Sequence, residues 1–116
     1  MEATHTITAL AALAQEHRLQ AFRFLVQKGA EGAAAGIIAE HLGIPASSLS
    51  FHLAQLERAG LIVRVRKSRS LIYSADFAAM NMLVGYLMEN CCGGATTCAP
   101  ACETQPNETE NERNAA

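Results

Sequence analysis

The stretch "IIAEHLGIPASSLSFHLAQLERAGLIVRVRKSRSLIYSA", residues 37–75, decides the fold. It holds two helical hydrophobic periods separated by a tight break, and then a strict alternation. Ile37, Ile38 and Leu42 share one side of a short helix that Gly43-Ile44-Pro45 ends. Leu49, Leu53 and Leu56 recur at spacings of four and three until Gly60, so residues 46–59 form a second helix. After Gly60 the period drops to two: Leu61, Val63 and Val65 fall on one face, Ile62, Arg64 and Arg66 on the other. Lys67-Ser68-Arg69-Ser70 forms a turn, and "LIYS" is the returning strand. Two short helices joined by a tight Gly-containing turn are a helix-turn-helix signal, here 34–42 and 46–59. The hairpin that follows makes it winged.

Working outward, "TITALAALAQ" places Ile7, Leu10, Ala11 and Ala14 at helical spacing, and "HRLQAFRFLVQK" does the same with Leu19, Phe22, Leu25 and Val26. "GAEGAAAG" reads as a loop entering the 34–42 helix. Asp76 can cap a last helix, "FAAMNMLVGYLMEN", whose stripe of Phe77, Met80, Leu83, Val84, Leu87 and Met88 is too wide for a lone helix on a small core. The expected class is therefore mainly α, an α+β winged helix-turn-helix with a two-stranded β wing. Residues 1–90 make the folded domain and residues 91–116 a cysteine-containing segment. Within that segment "ETQPNETENERNAA" is polar and aromatic-free, and is expected to be disordered.

With 116 residues the chain is one small domain, of the size at which oligomerisation commonly enlarges the core. It has no apolar run of spanning length, and its N-terminus lacks a basic n-region, so a cytoplasmic protein is expected. The net charge of −2 conceals an asymmetry. Arg58, Arg64, Arg66, Lys67 and Arg69 stand against Glu57 alone in residues 45–75. Four glutamates stand against Arg113 after residue 102. A basic block in a mildly acidic chain is a local binding surface.

With Leu49, Leu53 and Leu56 buried, Ser47, Ser48, Ser50, His52 and Gln55 fall on or beside the outer faces of the second helix. Short hydroxyl side chains near a helix N-terminus suit the DNA major groove, and His52 and Gln55 have the reach for a base or a backbone oxygen. Arg64, Arg66, Lys67 and Arg69 on the wing supply phosphate contacts. For any one of these residues a solvated helix face is the better account; the helix-turn-helix and the basic hairpin together favour DNA. No residues form a catalytic constellation or a Gly-rich phosphate loop, so no enzyme is expected.

"LAQEHRLQAFRFL", "IAEHLGI" and "SSLSFHLAQLERAGLI" with its "RVRKSRSLIYS" wing resemble, over about residues 8–90, the arsenic-responsive ArsR/SmtB repressors. The resemblance implies a homodimer joined through its first and last helices that leaves its operator DNA when a metal or metalloid binds. It carries the recognition positions onto Ser47, Ser50 and His52; the family often has Gln or Glu where this chain has Ala46. Many members hold the inducer on cysteines in the helix before the recognition helix, where this chain has "GIIAEHLG". Others use Asp and His along the last helix, of which this chain keeps only Asp76.

That leaves "NCCGGATTCAPAC", residues 90–102, where all four cysteines of the chain lie. In a reducing compartment such a cluster points to metal or redox chemistry. Thiolates select soft ions, and trivalent arsenic or antimony takes three sulfurs. Members of the family with an adjacent Cys pair past the last helix and a third Cys further on imply Cys91, Cys92 and Cys98 as the As(III) or Sb(III) ligands, with Cys102 a substitute. Zinc held by all four thiolates would lack its usual C-x2-C spacing here; cadmium, lead and a thiol redox switch stay open. A winged-helix interaction module that never touches DNA is the third alternative.

Overall fold

The computed structural model of the protein describes residues 2–94. In chain order these form α1 (Ala3–Leu13), α2 (Glu16–Lys28), β1 (Ala33–Ala34), α3 (Ala35–Leu42), α4 (Ala46–Arg58), β2 (Ile62–Lys67), β3 (Ser70–Ala75) and α5 (Phe77–Leu87), with short 3-10 turns at Gly29–Glu31 and Cys91–Gly94. The mainly helical winged helix-turn-helix is as expected. Two compact units divide between Tyr86 and Leu87. The expected disorder of residues 103–116 lies outside the described residues.

Glycine and backbone chemistry explain why α3 and α4 stop where they do. Gly43 adopts a left-handed φ of 71°; its N–H donates to the Glu40 carbonyl at 3.3 Å, and the Ile44 N–H reaches back to Ala39 at 3.2 Å. Gly60 repeats the arrangement at φ 80°, with its N–H on Glu57 at 2.9 Å and the Leu61 N–H on Leu56 at 3.1 Å. Both ends are Schellman motifs, which satisfy the last helical carbonyls and turn the chain sharply. At the second, the apolar contact that accompanies the motif is available from Leu56 and Leu61, both fully buried. Pro45 just before α4 cannot continue α3, and its carbonyl accepts from the Leu49 N–H.

The largest fully buried side chains are Leu25 of α2, Ile38 of α3, Leu49, Leu53 and Leu56 of α4, and Leu61 and Ile62 at the root of the wing. The α4 stripe is therefore as the periodicity predicts. On α1 the buried line is Thr6, Ala9 and Ala12, whereas Ile7 and Leu10 of the expected stripe face out. Small side chains let α1 approach α2 and α4 closely, which leaves the larger ones on the far side. Thr6 is tolerated inside because its hydroxyl donates to the Glu2 carbonyl at 3.0 Å. On α5 only Leu83 is buried; Phe77, Met82, Val84 and Tyr86 are exposed. The broad stripe read from the sequence is thus mostly not part of the core of this chain. Asp76 caps α5 as predicted, its carboxylate accepting from the Ala79 N–H at 3.1 Å.

The wing departs from expectation in having a third strand. β1 pairs antiparallel with β3, Ala33 opposite Tyr73 and Ala34 opposite Ile72, which gives the order β1-β3-β2. The expected loop over 29–36 conceals it because two alanines carry no strand signal. Gly32 permits the pairing: it takes φ 66°, and a Cβ there would run into the Tyr73 carbonyl oxygen. β2 and β3 pair from Ile62 opposite Ala75 to Lys67 opposite Ser70, leaving Ser68 and Arg69 as the loop. Beyond Ile62 both faces of β2 are open, Val63 and Val65 included.

In the second unit, Asn90 takes a left-handed φ of 59° and the Cys91 N–H donates to the Met88 carbonyl at 2.9 Å. The 3-10 turn Cys91–Gly94 follows.

Candidate nucleic-acid interface

Helix geometry sorts the side chains of α4 into three faces. With Leu49, Leu53 and Leu56 inward, the 100° step per residue puts Ser47, Phe51, Ala54 and Arg58 on the ridge opposite the core. Ser47, Phe51 and Arg58 are exposed and Ala54 is half-buried. Ser50 and Glu57 lie on the flank toward the wing. Ser48, His52 and Gln55 lie on the flank toward α1 and α2. Of the residues expected from sequence, Ser47, Ser48 and Ser50 are exposed, while His52 and Gln55 are half-buried.

His52 is tied inward. Arg18, at the start of α2, donates from Nε to the Ala12 carbonyl at 2.6 Å, and its other arm lies 3.4 Å from His52 Nδ1. The His17 ring stands 5.6 Å from that of His52. Burial, then Arg18, then His17 hold the His52 pKa below its usual 6.5. The ring is therefore neutral at pH 7, with Nδ1 accepting and Nε2 carrying the proton. Gln55 lines a shallow groove with Ile7, Thr8, Ala11, Arg18 and Arg58.

The wing residues divide as well. Arg64 Nε lies 3.2 Å from Glu57 Oε2 of α4, a half-exposed pair that braces the wing root against the end of the helix. Arg66, Lys67 and Arg69 are exposed along the outer half of the hairpin. As a partly solvated pair, Arg64–Glu57 is worth about 0–1 kcal/mol in stability. It nonetheless offsets one cation, so the unopposed charge sits toward the tip.

Phe51 and Arg58 complete the outer ridge; Arg58 is expected from sequence only as part of the basic block, and Phe51 is not among the expected contacts. Counting opposite the buried leucines finds both; attention to polar side chains near the helix start passes over them. Cys91 is half-buried, whereas Cys98 and Cys102 lie outside the described residues. Among the described residues no three His, Cys, Asp or Glu side chains converge on a metal-sized site, and no helix is long and apolar enough to cross a membrane.

The helix-turn-helix domain family matches residues 13–66. An ArsR-like transcriptional regulator from Rhodococcus sp. RHA1 superposes with a TM-score of 0.65 at 26% identity, over 72% of this chain and 76% of that one. A predicted DNA-binding transcriptional regulator from E. coli is 30% identical over 73% of this chain and 87% of that one, with a TM-score of 0.59. Reduced HlyU from Vibrio cholerae N16961 is 26% identical over 78% and 92%, with a TM-score of 0.60. No curated protein matches the chain in sequence. Fold and outer surface define a winged helix-turn-helix, DNA-binding transcriptional regulator. At 30% identity over most of the E. coli protein, the chain belongs with the DNA-binding transcriptional regulators, and it is similar to the ArsR-like one from Rhodococcus.

Proposed function

We propose that the protein is a homodimeric repressor that binds operator DNA and leaves it when As(III) or Sb(III) is held by Cys91, Cys92 and Cys98, with Cys102 able to substitute. What carries the reading is one conjunction. A polar and basic outer face on α4 and the wing shares a chain with four cysteines in twelve residues, which begin four residues past α5. The chemistry of that donor set supports a soft, thiophilic inducer over a hard cation. Two recognition helices about one DNA turn apart read successive major grooves, and Ser47, Ser48, Ser50, His52 and Gln55 supply the α4 contacts, as base readers or as supports. Arg64, Arg66, Lys67 and Arg69 supply phosphate contacts. The exposed apolar residues of α1 and α5 support a dimer through these helices. When three thiolates converge on one ion they draw residues 91–98 together; the change at the end of α5 alters the spacing of the two α4 helices. Such a coupling is typically about 1–3 kcal/mol.

The test is fluorescence anisotropy of an operator duplex with reduced protein, titrated with arsenite and separately with zinc. Arsenite is expected to release the DNA while zinc is inert. Cys91→Ser, Cys92→Ser and Cys98→Ser are each expected to weaken the arsenite response at least about tenfold without changing DNA affinity. An unchanged response in these variants removes the ligand assignment. The likeness to HlyU, described in a reduced form, favours thiol oxidation as the second reading. Release by peroxide with no response to arsenite would select it.

A further inference from the structure

Phe51 occupies the middle of the outer ridge of α4 and is 60% exposed. A single exposed apolar side chain needs no explanation by itself, but three observations give this one a direction. It lies between Ser47 one turn before and Arg58 two turns after, on the face that the fold leaves to a partner. Ala54, next along the ridge, is too short to shield it. Its ring meets His52 edge-on at 5.8 Å between centroids, and His52 is itself held by Arg18, so the ring has a support on one side and open solvent on the other. The exposed cations of the same helix and of the wing, Arg58 on the ridge and Arg66, Lys67 and Arg69 on the hairpin, point to a polyanionic partner.

A phenyl ring can neither donate nor accept a hydrogen bond to a base edge. The major groove presents one apolar group that such a ring can cover, the C5-methyl of thymine. We infer that Phe51 is a specificity-determining residue that reads a thymine methyl in each half-site. The inference rests on the DNA-binding reading above. It makes apolar contact, alongside hydroxyl hydrogen bonds, part of how the helix selects sequence.

The experiment begins with duplexes selected from random-sequence DNA by the reduced protein. Each selected site is prepared with thymine and with uracil, which differ only by the methyl group. Wild-type protein is expected to bind the uracil duplex about fourfold more weakly per thymine read, and about fifteenfold for two half-sites, which is what burying one methyl group at each is worth. Phe51→Ala is expected to bind both duplexes equally, and Phe51→Leu to retain part of the discrimination. Circular dichroism should show Phe51→Ala folded with nearly the wild-type Tm, since the ring is largely outside the core. Equal discrimination by wild type and Phe51→Ala assigns the methyl to another residue and overturns the inference. So does a selected site without thymine, or a wild-type protein indifferent to uracil; DNA binding itself survives either result. If the protein selects no sequence at all, the DNA-binding reading fails first and the inference falls with it.

Discussion

At the scale of the residue, His52 is where helix position and helix duty part. Its place in α4 suggests an outward contact, yet Arg18 and His17 draw it to the flank shared with α2. With its folded-state pKa lowered below 6.5, native protein binds fewer protons than unfolded protein between the lowered value and 6.5. Stability is therefore full above pH 6.5 and declines as pH falls through that window. Urea denaturation from pH 7.5 to 5 is expected to show this decline in wild type and a shallower one in His52→Gln. Parallel profiles would mean that His52 does not carry the proton linkage. Gly32 is the other residue whose neighbourhood decides its identity. Gly32→Ala meets both a positive φ and the Tyr73 carbonyl, so a loss of about 2–4 kcal/mol is expected in the same denaturation experiment.

At the scale of the element, the wing carries its charge unevenly, and salt dependence reports it. Neutralising Arg66, Lys67 and Arg69 together is expected to lower the slope of log K against log salt by roughly 3 per wing bound to DNA. Arg64→Ala should change it less, because Glu57 already faces that guanidinium. Equal effects per residue would contradict this division. The elements themselves were largely legible in the sequence. Gly43, Gly60 and Asp76 mark boundaries by local backbone chemistry, which a sequence states directly, and the 49/53/56 stripe names the buried face of α4. The alternation of β2 was legible as a strand but not as an inside and an outside, since past Ile62 it has no core to face. β1 was hidden because its pairing depends on Tyr73 and Ile72, some forty residues away. On α4, residue type drew attention to serines and to His52, while the geometry adds Phe51 and Arg58. The thiol cluster was legible only as composition and spacing.

At the scale of the whole molecule, the exposed apolar side chains of the two terminal helices are the main surface of the first unit that the core does not account for. Ile7 and Leu10 on α1, and Phe77, Met82, Val84 and Tyr86 on α5, are an unusual concentration for a chain with few aromatics. In the proposed dimer they would become buried. A carboxylate placed among them then costs roughly 3 kcal/mol, about a hundredfold in dimer affinity. Sedimentation velocity of Val84→Glu is expected to give a folded monomer at concentrations where wild type is a dimer, with operator affinity falling alongside. An undisturbed dimer would move the interface off α5.

The short strand β1 has a mechanical consequence. It runs without a break into α3, and it is stitched to β3, the inner strand of the sheet. The hairpin is consequently not a loose arm swinging from the end of α4. It is bolted at two points, through β2 to the recognition helix and through β1 to the helix before it, so reader and arm travel as a single rigid head. In the proposed dimer, a signal would have no need to bend the head; it would have only to change how far apart two heads are carried.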